Sequence, residues 1–118
     1  MKYIKKLNIN FDNWDEIKPN NNVININKTL NKAFNELHVG DKILIDFIKN
    51  GINYKDKWGL IKYKGDEPSF VPMICVEFDD NIDGHDGNNG CNGRHGHCWY
   101  FLKNSILDID TFIKIIIH

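Results

Sequence analysis

The stretch Val39-Gly40-Asp41-Lys42-Ile43-Leu44-Ile45-Asp46-Phe47-Ile48-Lys49-Asn50-Gly51 decides the fold class. Ile43, Ile45 and Phe47 recur at every second position, the period of a strand with one face turned to a core. Asn50-Gly51 then predicts a tight hairpin, because both residues accept the positive φ that such a turn requires. Working outward, Trp58 to Tyr63 makes a second strand, interrupted by Gly59, and Lys64-Gly65-Asp66-Glu67-Pro68 makes a turn. Val71 to Phe78 follows, with Ile74, Val76 and Phe78 facing one way and Met73, Cys75 and Glu77 the other. Pro72 has no N–H to donate, so this strand begins at an edge or a bulge. Trp99 to Leu102, a Lys103-Asn104-Ser105 turn and Ile106 to Ile109 complete five short strands. That spacing predicts a mainly β fold, a small antiparallel barrel over about 39–110.

The flanks read differently. Leu7, Ile9 and Phe11 alternate with polar residues as a strand does, and Val23 to Ile26 is a second strand candidate. Asn27 is placed to cap a helix that carries Leu30, Phe34 and Leu37 on one face. Residues 1–38 are therefore expected to form an N-terminal α/β extension packed on the barrel, and 39–118 the barrel itself. The tail, Phe112 to Ile117, is an apolar run that has to be buried at home or against another copy. A homo-oligomer built through this C-terminal strand is thus one expectation.

At 118 residues the chain is one domain by size, with enough apolar side chains to bury a core without staples. Its charge is uneven: +2 over residues 1–38, +3 over 39–64 and −6 over 65–118. The acidic second half argues against a polyanionic partner, whose binding depends on neutralising phosphates. Asn, Ile and Lys have A/T-rich codons, and their abundance points to a low-GC bacterium or one of its phages. The lysines after Met1 lead into an alternating run in place of an apolar leader segment, and no stretch reaches the length of a membrane span. We therefore expect a cytoplasmic protein (host cytosol if phage-encoded) with its three cysteines reduced.

The chemistry is concentrated in one place. Asp83 to Cys98 reads Asp-Gly-His-Asp-Gly-Asn-Asn-Gly-Cys-Asn-Gly-Arg-His-Gly-His-Cys, and its five glycines predict close backbone approaches or positive φ. Loops of this length in small domains are usually functional or disordered. His85, Cys91, His95 and Cys98 offer the nitrogen and sulfur donors that zinc takes tetrahedrally. Their spacing lacks paired Cys-x2-Cys knuckles, however, so the plainer expectation is hydrogen bonding within the loop and no cofactor, with zinc as the alternative. Asp79, Asp80, Asp83 and Asp86 lack the regular register of a calcium loop. A cysteine beside His95 or His97 and Asp86 contains the atoms of a nucleophile and base, but adjacency alone does not orient them. Cys75, between Ile74 and Val76, reads as a buried small hydrophobe. His85, Asp86, Arg94, His95 and His97, together with glycine N–H groups, are expected to meet a protein partner or a small anionic ligand. Trp99, Tyr100 and Trp58 are the aromatic candidates for the same face.

Val39-Gly40-Asp41, Trp58-Gly59-Leu60-Ile61 and Val76-Glu77-Phe78-Asp79 resemble the opening strands of SH3-like small barrels. Gly84-His85-Asp86 followed by Gly96-His97-Cys98-Trp99-Tyr100 is similar to short SH3-like barrel proteins of phages and their low-GC hosts. The resemblance covers about residues 39–110 and implies a fold with no established activity, so no functional residues are carried over. The function expected is a non-enzymatic binding protein, such as a phage-encoded inhibitor of a host defence component or a sequestering protein for a small anion. The alternatives are a nucleic-acid-binding small barrel and a metal-binding module or enzyme built on His85 to Cys98.

Overall fold

A computed structural model describes residues 23–65, 72–87 and 91–118. The strand expected at Leu7 to Phe11, most of the turn before Pro68, and Asn88 to Gly90 of the long loop lie outside them. The elements run β1 (Val23–Thr29), α1 (Leu30–Ala33) with a 3-10 turn over Phe34–Glu36, β2 (Lys42–Lys49), β3 (Ile52–Gly65), β4 (Met73–Phe78), β5 (Cys98–Leu102), a second 3-10 turn over Ile106–Asp108, and β6 (Phe112–Ile117). All six strands form one antiparallel sheet in the order β1-β6-β2-β3-β4-β5. The protein is mainly β, as the alternation predicts, but the sheet is not closed. Among the described residues β1 and β5 stand at its two edges without pairing to each other.

The hairpin forms where its turn chemistry places it. Lys49 pairs with Ile52, and Asn50 and Gly51 take φ values of 52° and 78° between them. Further along, the ladder carries two bulges at one level. The β2–β3 register slips between Ile45 and Phe47, the β2–β6 register between Leu44 and Ile45. Asp46 Oδ1 accepts the N–H of Asp56, which sits at φ 54°. The bulged Lys114 reaches Asp56 Oδ1 at 2.6 Å and Asp46 Oδ2 at 3.2 Å. One lysine thus ties three strands together where the register changes.

The principal core lies on one face. Ile43, Ile45 and Phe47 of β2 meet Ile61, Ile74, Val76, Phe78, Phe101, Ile113 and Ile116, all essentially without solvent contact. Phe47 sits at its centre, with ring centroids 4.9 Å from Tyr54, 5.0 Å from Phe78 and 5.1 Å from Phe101. Leu30, Ala33, Phe34 and Leu37 close this face from above, spaced so that each returns to the sheet. Residues 23–38 therefore share the sheet and the core of the chain that follows them.

Three local expectations are corrected. Asn27 does not cap the helix: Thr29 holds that position without a side-chain bond, and Asn27, at φ 48°, lies where the β1–β6 register slips. Ile106 to Ile109 is not a strand, because Ser105 Oγ accepts the N–H of Leu107 and turns the chain into a 3-10 turn. The C-terminal run has no edge to lend to a second copy. β6 pairs with β1 on one side and β2 on the other, burying Ile113 and Ile116 on one face and Ile115 and Ile117 on the opposite one. Among the described residues no helix is long and apolar enough to cross a membrane. Phe47→Ala should lower unfolding free energy by about 3–5 kcal/mol, the range for deleting a buried ring, read as a shift in the urea midpoint at unchanged slope.

Candidate functional site

The long loop folds back over the start of β5. His85 and Cys98 exchange backbone hydrogen bonds of 3.0 and 2.9 Å, and the carbonyl of Gly96 accepts from both Ile82 and Gly84. This return passes so close that a Cβ on Gly84 would strike the Cys98 carbonyl oxygen. At Gly87, where φ is 76°, a Cβ would run into Cys91. Two of the loop's glycines are thus explained by backbone packing.

The charged and aromatic groups are then consumed in turn. Arg94 Nε lies 2.7 Å from Glu77 Oε2, its backbone N–H donates to the same oxygen at 2.9 Å, and Nη2 donates to the Phe78 carbonyl. The guanidinium, then the Arg94 N–H and Lys62, hold the Glu77 carboxyl down to about 2 from an ordinary value of 4.5. His97 Nδ1 lies 2.9 Å from the Phe78 carbonyl, which can only accept, so that nitrogen carries the proton. His85 Nδ1 accepts the N–H of Gly87 at 2.8 Å, and its ring lies against Trp99 and Tyr100 with centroids 5.2 and 5.6 Å away. Behind Trp99, the nearly buried Lys49 places Nζ 4.9 Å from the ring centroid and donates to the Asp83 carbonyl.

Under the loop, on the sheet face opposite the principal core, Cys75, Cys91 and Cys98 form a buried cluster with Tyr63 and Tyr100. All three are free thiols. Cys91 packs in one cluster with both others. Burial, reinforced by Cys91, pushes the Cys98 thiol up to about 12 and raises Cys75 as well. Tyr100 donates its hydroxyl to the Gly87 carbonyl at 2.8 Å and closes the cluster. Thiols held neutral in this way are poor nucleophiles and pack as small hydrophobes.

The loop therefore gathers His85, Arg94, His97, Trp99 and Tyr100 around Cys98, while His95 and Asp86 stay exposed. Trp58 goes elsewhere, against Leu44, Ile115 and Ile117. Of the four zinc candidates, Cys91 and Cys98 meet, but the third member of their cluster is Cys75. Among the described residues one group of three His, Cys, Asp or Glu side chains brings its ligand atoms within 4.8 Å of one another, and it is His38, Asp41 and His118.

The feature that sequence reasoning missed lies at the other end of β5. Ile106, Leu107 and Ile109 are 81%, 82% and 66% exposed. Their turn is fixed by Ser105, as above, and by Asp108, whose Oδ2 accepts the N–H of Leu102 at 2.7 Å. A cleft of about 340 Å³ lies beside them, lined by Thr29, Asn31, Lys103, Ile106, Asp108 and Ile109. The available signal was Ser105-x-x-Asp108, a turn-opening pattern that competes with strand formation.

No family model, curated protein or solved structure matches this chain.

Two measurements check the loop. Glu77 stabilises the fold fully above about pH 4.5 and loses that contribution as pH falls toward 2, since its folded carboxyl titrates below its unfolded one. Glu77→Gln should therefore flatten the fall of the urea midpoint across this acid range and raise amide exchange in residues 91–97. At pH 8 the native protein's thiols should alkylate many times more slowly than those of the urea-unfolded chain, with all three becoming reactive together on unfolding.

Proposed function

We propose that this chain is a non-enzymatic binding protein whose partner is another protein, and the exposed triplet Ile106, Leu107 and Ile109 carries that reading. One aliphatic side chain on a surface is ordinary, but three within four residues form a patch of the kind that marks interaction sites. Their turn is held by two side-chain hydrogen bonds, so little conformational entropy is lost when a partner covers them. Lys103, Asn104 and Asp108 line the cleft beside Ile106 and Ile109, giving the patch polar neighbours of the kind found at the rim of an interface.

The loop supports the same reading by what its groups are occupied with. Arg94, the cation best suited to a small anion, is committed to Glu77. That favours a protein over a sequestered anionic ligand. The raised thiols of Cys75 and Cys98 favour binding over cysteine catalysis. The exposed His95 and half-exposed His85 and Trp99 form a second surface that a partner could extend onto. An SH3-like origin for the β2–β5 meander, and service as a phage-encoded blocker of a host defence component, belong to this proposal.

The test is a photo-crosslinking residue at Leu107, activated in the producing cells. One discrete protein adduct is expected, lost in an Ile106→Asp/Ile109→Asp background whose urea midpoint stays within about 0.5 kcal/mol of the parent, as for exposed positions generally. Failure to form a protein adduct, or an adduct indifferent to both aspartates, would refute the reading.

A further inference from the structure

Away from both of these surfaces, the β2–β6 ladder creates a third feature. Lys42 pairs with Ile117, so one step further the antiparallel register sets Asp41 opposite His118. Both positions share the parity of core residues on their own strands, Ile43 and Ile45 with Asp41, and Ile116 with His118. His118 Nδ1 lies 3.0 Å from Asp41 Oδ1. The turn preceding β2 supplies the third group, with His38 Nδ1 at 3.6 Å from Oδ2. The two imidazole rings stand 5.6 Å apart, with 57° between their planes.

The carboxylate is fixed before any ligand arrives. Asp41 Oδ2 accepts the backbone N–H of His38 at 2.8 Å, and the N–H of Asp41 donates back to the His38 carbonyl. Gly40, at φ 97°, permits that tight reversal. Gly40 N–H donates to Ile61 O, and Ile61 N–H donates to Asp41 O, which stitches the turn to β3. The Asp41 side chain is only 7% exposed, yet among the described residues its ion-pair partners are the two imidazoles alone. An imidazole is a cation only when protonated, so this buried carboxylate has no permanent counter-charge there.

The donor spacing fits a metal. One ligand atom from each residue lies within 4.8 Å of the other two. His118 Nδ1 at 3.0 Å from Oδ1 and His38 Nδ1 at 3.6 Å from Oδ2 bracket the roughly 3.4 Å between neighbouring donors of a tetrahedral ion with bonds of about 2.0–2.2 Å. We propose that His38, Asp41 and His118 form a binding site for a divalent transition-metal ion of the zinc class, with two imidazoles and one carboxylate as ligands. The His38 side chain is 65% exposed, so the remaining coordination positions open to water. The ion readily exchanges, and it neutralises Asp41 while pinning the end of β6 to the start of β2. This inference goes beyond the binding reading and does not depend on it, because its ligands and the Ile106–Ile109 patch have no residue in common.

The test uses the reduced full chain, stripped of metal and titrated with zinc by calorimetry and with cobalt(II) by absorption. One equivalent of zinc is expected to bind, with affinity reduced at least about tenfold in His38→Ala and in His118→Ala and unchanged in His95→Ala. Cobalt(II) should give weak ligand-field bands without a thiolate charge-transfer band, which separates this site from the cysteine cluster. Asp41 also anchors its turn, so Asp41→Asn is read beside His38→Ala, which leaves the carboxylate and its backbone bonds in place. Zinc binding that survives both histidine changes, a thiolate band abolished by Cys98→Ser, or no stoichiometric binding would each overturn the assignment.

Discussion

The constraint on which the rest depends is the insertion of β6 between β1 and β2. A six-residue segment with five of its positions aliphatic or aromatic has no solvent-facing side to offer. It can be accommodated only where both faces are covered and both hydrogen-bonding edges are paired, which is the interior of a sheet. From that single placement follow the β1-β6-β2 order, the inclusion of Val23–Thr29 in the sheet, and the pairing of Val23 with Ile117. The same placement carries His118 to Asp41. A long-range β pairing thus builds both the core and the one convergent set of metal-type ligands among the described residues.

A strand held from both sides must also absorb the twist of its neighbours. The register slips beside Ile45 and Lys114, and charged side chains meet at those slips. A bulge leaves an unpaired backbone group and a side chain out of alternation. Here Asp46 accepts the stray N–H of Asp56, and Lys114, displaced from the pleat, finds Asp46 and Asp56. These partly exposed pairs contribute little stability individually. Their role is to fix where the register changes, and therefore which residues of β6 face the helix and which face the thiol side.

How much of this was legible in the sequence varies with the range of the interaction. The Asn50-Gly51 hairpin, the alternation of β2 and β4 and the anchoring of Trp99 to Leu102 depend on neighbours a few residues apart, and their patterns could be read directly. The burial of Cys75 could be read from its apolar neighbours in sequence, but the side chains that cover it are Cys91, Cys98, Tyr63 and Tyr100, on the sheet face opposite the principal core. The partners of Phe112 to Ile117 could not be read, because an apolar run states that it must be covered without naming what covers it. An open sheet and a closed barrel present the same local alternation and differ in whether two distant edges meet. At Ile106 to Ile109 the composition favoured a strand, and two side-chain bonds to the backbone, from Ser105 and Asp108, redirected it. Asn27 erred in the same way, its tolerance for positive φ serving a bulge instead of a cap.

The loop from Asp83 to Cys98 shows why composition points to a site more readily than to its purpose. Glycine density arises where a backbone must approach a ligand, and equally where it must approach another backbone. At Gly84 the approaching atom is the Cys98 carbonyl, which is a packing reason. Arg94 and His97 satisfy the Glu77 carboxylate and the Phe78 carbonyl of β4, and His85 accepts a loop N–H, so each such bond occupies a group that a ligand would have used. A group already engaged at good distance contributes to binding only if the ligand outcompetes that bond. Two features stand outside that pattern: the exposed aliphatic turn after β5, which has no polar bond to give up, and the Asp41 carboxylate, whose ion-pair partners among the described residues are two imidazoles. Polar richness thus identified a surface whose side chains bond to β4 and to the loop's own backbone, while the exposed aliphatic turn and the His38–Asp41–His118 group are chemically plainer and lie elsewhere.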